Sequence, residues 1–293
     1  MLKMRKQNNI VGYFLTVPYL FYTILFFVYP LIWSFWLLFH RTSIISRTRE
    51  FVGLENLYQA LGSIRVFAAF IFTYKFIAIF IPVTIIISLF VALLIDSLSK
   101  GKIIYIIGYF LPYLASGVAM SLIVRGMLSW NSPVSQFFNK IIGYTPDWFG
   151  NSTLAVIVIA LMVSWKHSGY YALIFLAGLQ SIPDEIYDAA KIDGVDFWVM
   201  IWKIIIPMLY PAFYTILILS TGLSFAIFSE PLMLTGGGPH YATHSWQLEI
   251  YRQTFEFGNA GYGATIGVLD AIVTFITILL IKRLLKTWGG LYG

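Results

Sequence analysis

Side chains that could do chemistry are sparse in this sequence and gather in two places. Five carboxylates fall within the thirteen residues from Asp184 to Asp196, and Lys166 and His167 stand together inside an apolar run. The chain has no cysteine, and its four histidines show no zinc-ligand spacing. Thiol chemistry and thiolate metal sites are therefore excluded. The convergent carboxylates that an enzyme would need are not evident, since only Asp96 and Asp270 stand near the apolar runs.

The carboxylate-rich segment reads LQSIPDEIYDAAKIDGVDFWVMIWKIIIP over residues 179–207. Such a density of charge must lie outside a bilayer. Ser181, three residues before Asp184, predicts the start of a helix. Gly194 predicts a stop and a sharp turn, and apolar residues at helical spacing from Phe197 to Ile204 predict a second helix.

Two small residues on the first of these helices, Ala189 and Ala190, would let another surface approach closely. One interpretation is that the segment forms a docking surface for another protein. An ordinary solvated loop, kept out of the membrane by its acids, is the other, and spacing alone does not separate them.

The elements that must position these residues are membrane spans. The chain is 59% hydrophobic and 11% charged, with a mean hydropathy of +0.81, whereas a soluble domain is about 25% charged. Because about 20 apolar helical residues cross a bilayer, six spans are predicted. Their approximate bounds are 11–39, 67–95, 103–128, 154–179, 205–229 and 264–285. The first lacks a small-residue cleavage site and is expected to remain as a span kinked at Pro18 and Pro30.

The distribution of cations predicts the orientation. With the N-terminus in the cytoplasm, ten cations lie inside and six outside, which favours both termini inside. The inside set is Lys3, Arg5, Lys6, Lys100, Lys102, Lys191, Lys203, Lys282, Arg283 and Lys286, and the outside set is Arg41, Arg47, Arg49, Arg65, Lys140 and Arg252. The net charge of +6 therefore encodes topology and does not indicate nucleic-acid binding.

One spacing resembles a known signature. Asp188-Ala189-Ala190, Gly194, Ile204 and Ile206-Pro207 are arranged like the EAA signature of binding-protein-dependent ABC permeases, with Asp188 in place of the usual Glu and Ile206 in place of Leu. Further blocks resemble the carbohydrate branch of that family, the relatives of the maltose-type permeases. They are FVGLENLYQAL (51–61), LPYLASGVAMSLIVRGML (111–128), WKHSGYYALIFLAGLQSIP (165–183), LTGGGP (234–239) and YRQTFEFGNAGYGATIGVL (251–269).

The resemblance implies an all-α membrane protein with the ABC importer permease fold: six transmembrane helices and a cytoplasmic coupling helix. It implies one permease domain over 1–293, with a core at 67–285 and a coupling segment at 181–207. In this family the segment docks on an ATPase subunit, which assigns ATPase coupling to Asp188, Ala189, Ala190, Gly194, Ile204 and Pro207.

The partners implied are two ATP-binding subunits, an extracytoplasmic solute-binding protein, a sugar and a second permease. A glycine run such as Gly236–Gly238 is typical of the first permease type, which favours a heterodimer. This chain is expected to bind no cofactor itself, since ATP and Mg²⁺ are used by the partner ATPase and no phosphate-loop ending follows the glycines. The expected location is the bacterial cytoplasmic membrane.

Sugars need aromatic platforms beside hydrogen-bonding groups. The resemblance places substrate among the third to fifth spans. The candidate path residues are Tyr113, Ser116, Trp165, Lys166, Tyr170, Ser224 and Ser229.

Charges at membrane depth need a cavity or a partner. Lys166 either lines the path or pairs with a carboxylate such as Asp270 or with the partner subunit. Lys75, Arg125 and Glu230 either face a cavity or reach back to the interface.

Three alternatives stay open. The chain could be an ABC permease for an amino acid, phosphate or polyamine, because the coupling signature is shared. It could be a membrane-embedded enzyme, although convergent carboxylates or a metal cluster are not evident. A channel is the third, but a charged docking segment has no evident use in one.

Overall fold

The computed structural model of the protein describes residues 2–45 and 48–289. Four helices are long and apolar enough to cross a membrane, and two bent pairs of shorter helices pass the same test. The predicted all-α fold with six spans is confirmed when each bent pair is counted as one span. The spans are Gly12–Leu38, Ile64–Ser97, Lys102–Leu114 with Gly117–Met127, Ser152–Gln180, Phe197–Met208 with Tyr210–Ala226, and Ala260–Lys286.

The first span consists of α1 (Leu2–Thr23), a π-helical turn (Ile24–Val28) and α2 (Tyr29–Leu38). Pro30 has no amide hydrogen, and the turn before it widens so that the Tyr29 amide donates to the Ile24 carbonyl. The most apolar window of this span has no buried residue. The chain itself therefore leaves the faces of this span uncovered.

Contacts divide the chain into two compact units, the first running to Ser63 and resuming over Glu249–Leu269. Its elements beyond α2 are β1 (His40–Thr42), β2 (Arg49–Phe51) and α3 (Glu55–Leu61). The two strands form an antiparallel pair, and Arg41 bridges to Glu50 at 3.7 Å and also to Glu55. Later in the chain come α14 (Trp246–Tyr251), a π-helical turn (Arg252–Glu256) and α15 (Ala260–Gly289), parts of which belong to this unit.

The second unit holds the hydrophobic core. It covers Ile64–Leu248 and the chain from Asp270 onward, and it is built on α4 (Ile64–Ser97) and α8 (Ser152–Gln180). Both helices are apolar on all sides, as expected of buried spans. Phe76 and Phe80 stack at 5.0 Å within this core.

The third span, predicted at about 103–128, is a bent pair of helices. Helices α5 (Lys102–Leu114) and α6 (Gly117–Met127) meet at 93°. Ala115 and Ser116 are extended, and the Ser116 hydroxyl caps α6 by accepting from the Ala119 amide. The bend was not predicted, because the apolar run passes through this cap without a change in hydropathy. Helix α7 (Pro133–Ile142) follows in the connection to α8.

The coupling segment has the predicted helix, glycine turn and second helix. Helix α9 (Asp184–Ile192) ends before Gly194, whose φ is +68°, and α10 (Phe197–Met200) follows. The predicted cap is wrong, because Ser181 ends α8 and its hydroxyl donates to the Gly178 carbonyl, while Pro183 precedes the first turn of α9.

The fifth span is also bent. A π-helical turn (Ile201–Ile205) and α11 (Ile206–Met208) continue α10, and α12 (Tyr210–Ala226) follows at 65°. The span ends at Ala226 and not at the predicted 229, because Ile227 is extended. A separate short helix, α13 (Ser229–Thr235), begins there.

Candidate functional site

The exposed end of the bundle carries α9, and its charges follow the helix dipole. Asp184 and Glu185 lie in the first turn and Lys191 in the last. Lys191 also pairs with Asp188 at 3.0 Å on the surface. Both side chains of this pair are about two-thirds exposed, so the pair contributes little to stability.

The two alanines of the signature face different ways. Ala190 is buried, whereas Ala189 is exposed. Ala190 packs against its own chain and is 4% exposed, and the use of either alanine in docking stays a prediction.

A groove of about 440 Å³ separates α9 from the chain that follows it. Ala189 and Ala190 line it from α9, and Asp193 lines it just after that helix. Lys203, Ile204 and Pro207 line it from the π-helical turn and α11. Four of the six residues assigned to coupling therefore meet at one depression. Gly194 forms the turn that closes it, and Asp188 lies on another face of α9.

Tyr187 places α9 beside the ends of the spans. Burial raises the pKa of Tyr187, and the nearby carboxylates of Asp96 and Asp184 raise it further. Asp96 belongs to the last turn of α4 and pairs with Lys102 at 3.6 Å. Helix α9 is thus held against the α4 end of the bundle.

Inside the bundle, two tyrosines from different helices form an aromatic platform. Tyr113 of α5 and Tyr170 of α8 stack at 4.7 Å with their planes 11° apart. His167 meets Tyr113 edge-on at 5.5 Å and is fixed by a hydrogen bond between its Nδ1 and the Val163 carbonyl. Two half-buried phenols therefore lie side by side, which is the kind of surface that a sugar ring face can contact.

Lys166 forms a buried ion pair with Glu230. Its Nζ lies 3.7 Å from Glu230 Oε1, and the two side chains are only 11% and 10% exposed. The predicted partner Asp270 is wrong, because Asp270 accepts a hydrogen bond from Gln247 at 3.0 Å. The expectation that Glu230 reaches the interface is also wrong, because α13 turns it back into the bundle.

The start of α6 lies against the same pair. A Cβ at Gly117 would be 2.6 Å from Glu230 Oε1 and 3.0 Å from Ser229 Cβ, so only glycine fits there. The backbone at Gly117, next to Ser116, therefore packs directly on Ser229 and Glu230.

Two of the predicted path residues lie elsewhere. Trp165 is 52% exposed on α8 and faces an apolar groove, since adjacent helical residues point about 100° apart. Ser224 is fully buried and donates to the Ser220 carbonyl, so it is packed in the core and not open to a substrate.

The other two cations predicted at membrane depth, Lys75 and Arg125, do not join the Lys166–Glu230 pair. Lys75 is exposed on α4. The Arg125 guanidinium donates to the Met233 carbonyl at 3.1 Å near the end of α6.

The glycine run ends α13. Gly236 and Gly237 have positive φ, and their amides donate to the Leu232 and Pro231 carbonyls, the pattern of a Schellman cap. The run thus serves as a helix stop. Within residues 2–45 and 48–289, no group of three or more metal-ligating side chains comes together.

Sequence reasoning missed Glu230 as the partner of Lys166, and it missed Gly169. A Cβ at Gly169 would lie 1.8 Å from the Tyr109 carbonyl oxygen, so α5 and α8 touch through backbone at this point. The available signal was a glycine between a histidine and two tyrosines in an otherwise bulky span.

Comparison with known proteins gives consistent results. The trehalose/maltose transport system permease protein of Thermococcus litoralis is 28% identical over 282 residues, covering 96% of this chain and 95% of the relative. The arabinooligosaccharides transport system permease protein of Bacillus subtilis is 30% identical over 287 residues, covering 95% and 89%. A bacterial ABC transporter involved in the import of the acidic polysaccharide alginate has the same fold, with a TM-score of 0.83, 19% identity and 98% of each chain covered.

A model of a protein family also matches this chain. It matches residues 101–288, which include the third to sixth spans, the coupling segment and the Lys166–Glu230 pair. The chain belongs to the family of binding-protein-dependent transport system inner membrane components.

Proposed function

We propose that this chain is the transmembrane permease subunit of an ATP-driven ABC importer that translocates a sugar or oligosaccharide delivered by an extracytoplasmic binding protein. The observation that carries the proposal is the coupling segment, where the exposed, charged helix α9 and the chain that follows it form a groove lined by Ala189, Ile204 and Pro207. The relatives named for maltose and arabino-oligosaccharides support the sugar assignment.

The platform supports a sugar better than an anion or an amine. Tyr113 and Tyr170 present stacked rings that also carry phenol hydroxyls. Lys166 is already neutralised by Glu230. Because the charges of Lys166 and Glu230 neutralise each other, this pair offers no free charge to a charged solute. That disfavours phosphate, amino acids and polyamines as the substrate.

The assembly contains a second permease as a heterodimer, two ATP-binding subunits that use ATP and Mg²⁺, and the binding protein. Both termini of this chain face the cytoplasm, which puts α9 on the side of the ATP-binding subunits. Closure of those subunits on ATP draws the coupling segments together and switches the spans between inward- and outward-facing states, a rigid-body form of alternating access.

The Gly194 turn offers a test of coupling. Gly194→Val should lower uptake about fivefold or more, because a branched residue at positive φ costs about 1–2 kcal/mol and favours another turn. A Cβ there meets no atom within 4 Å, so the effect is conformational and not steric. Uptake per ATP hydrolysed is measured in proteoliposomes that contain the complete transporter.

Gly194→Asn is the matched control, since asparagine tolerates the left-handed region. This variant should keep the wild-type ratio of substrate taken up to ATP hydrolysed. If Gly194→Val also transports normally, the segment is a solvated connector and the coupling assignment fails.

A further inference from the structure

An apolar groove of about 560 Å³ runs between α6, α7 and α8, away from the tyrosine platform. Met120, Val124 and Met127 line it from α6 at helical spacing. Met162 and Trp165 line it from α8, and Phe138 of α7 closes one end. Half-exposed side chains such as Trp165 leave it open along its length.

A small polar recess of about 200 Å³ adjoins one end of this groove, and Leu128 and Trp148 line both. The recess contains Arg125, Ser129 and Asp147. It belongs to the connection between α6 and α8, at the ends of the spans. The Arg125 guanidinium uses one of its nitrogens, Nη1, for the Met233 carbonyl, and it forms no ion pair within the described residues.

The length of the groove fits a lipid chain. From Met120 to Leu128 the groove extends about 12 Å along α6, and one leaflet of hydrocarbon is about 15 Å thick.

The recess holds one cation and one carboxylate, and the Asp147 carboxylate accepts a hydrogen bond from the Gly150 amide at 2.8 Å. Arg125 is the group that can hold a phosphate. A guanidinium matches phosphate oxygens in geometry and charge. Trp130, which lines the recess, and Trp148 stand where aromatic side chains meet lipid headgroups. An amphiphile with an anionic head and an apolar tail is complementary to the two pockets together.

We propose that the groove and the recess form a binding site for one membrane phospholipid, with an acyl chain between α6 and α8 and the phosphate against Arg125. The site takes lipid from the leaflet at the α6–α8 connection. The inference rests on the chain being a bilayer-spanning permease and does not depend on the transported solute.

The test uses the full chain purified from membranes and phosphatidylglycerol as the probe, with bound lipid counted by native mass spectrometry. One lipid per chain should be retained. Arg125→Gln, which keeps a donor for the Met233 carbonyl but removes the charge, should weaken retention about tenfold. Val124→Trp should fill the groove and abolish retention.

Leu122→Trp is the control for added bulk, because Leu122 is exposed on α6 outside the groove and should leave retention unchanged. Equal retention by Val124→Trp and wild type overturns the proposal. So does displacement of the lipid by inorganic phosphate alone, which would reduce the site to an ion site. Because the readout is a mass, a transporter that fails to import sugar would not affect it.

Discussion

Lys166→Met is expected to lower the apparent melting temperature of the purified protein by about 10 °C and to reduce its yield from membranes. Removing Lys166 leaves the Glu230 carboxylate buried without its cation, and breaking such a pair costs about 3–5 kcal/mol. In a chain of this size each kcal/mol shifts the melting temperature by about 2–4 °C. Thermal unfolding followed by size-exclusion chromatography in detergent measures the change.

Two comparisons isolate the buried pair. Lys191→Met makes the same substitution in the exposed pair with Asp188 and should change the melting temperature little. Lys166→Met combined with Glu230→Met should recover most of the loss, because apolar side chains replace both charges. A double variant no more stable than Lys166→Met alone would show that Glu230 is not what Lys166 stabilises.

Gly169→Ala should abolish uptake of the oligosaccharide, because it separates α5 from α8. The new Cβ would lie 1.8 Å from the Tyr109 carbonyl oxygen, and backbone cannot rotate away as a side chain can. The helices must part by about 1.5 Å to restore ordinary contact, and overpacking of this kind costs about 1–3 kcal/mol or more. Because Tyr113 and Tyr170 lie on these two helices, the stack opens with them.

Gly108→Ala is the matched control on α5, where an added Cβ meets no atom within 4 Å. It should transport normally, because alanine favours the helix. Uptake of labelled oligosaccharide and complex yield are recorded for both variants. Normal uptake by Gly169→Ala would mean that the α5–α8 contact is dispensable and that the tyrosine platform is not the substrate site.

The spans and the coupling helix were predictable from the sequence because each depends on local properties. An apolar run of about 20 residues signals a span wherever it occurs, and Gly194 marks its turn because of its permissive φ. The break at Ser116 was not predictable in the same way. The Ser116 cap is a local bond to the Ala119 amide, but the contact of Gly117 with Glu230 depends on α13, which is distant in sequence.

Contacts between side chains of different helices also could not be predicted from the sequence. Lys166 could equally have met Asp270 or Glu230 on sequence grounds, since both are carboxylates at membrane depth. Glu230 is the partner of Lys166 because α12 ends at Ala226 and the following helix, α13, directs Glu230 inward. Burial of Ala190 has the same origin, because which face of α9 packs inward is set by the bundle and not by α9 itself.

The central claim, that α9 is the contact with an ATP-binding subunit, can be tested directly because the chain contains no cysteine. Ala189→Cys places one thiol on the exposed groove, and Tyr144→Cys places one in the exposed connection between α7 and α8. Each is labelled with a photoreactive maleimide in the assembled transporter and illuminated. The account predicts a cross-link from position 189 to the ATP-binding subunit and none from position 144. Cross-linking from 144 and not from 189 would contradict both the coupling assignment and the orientation.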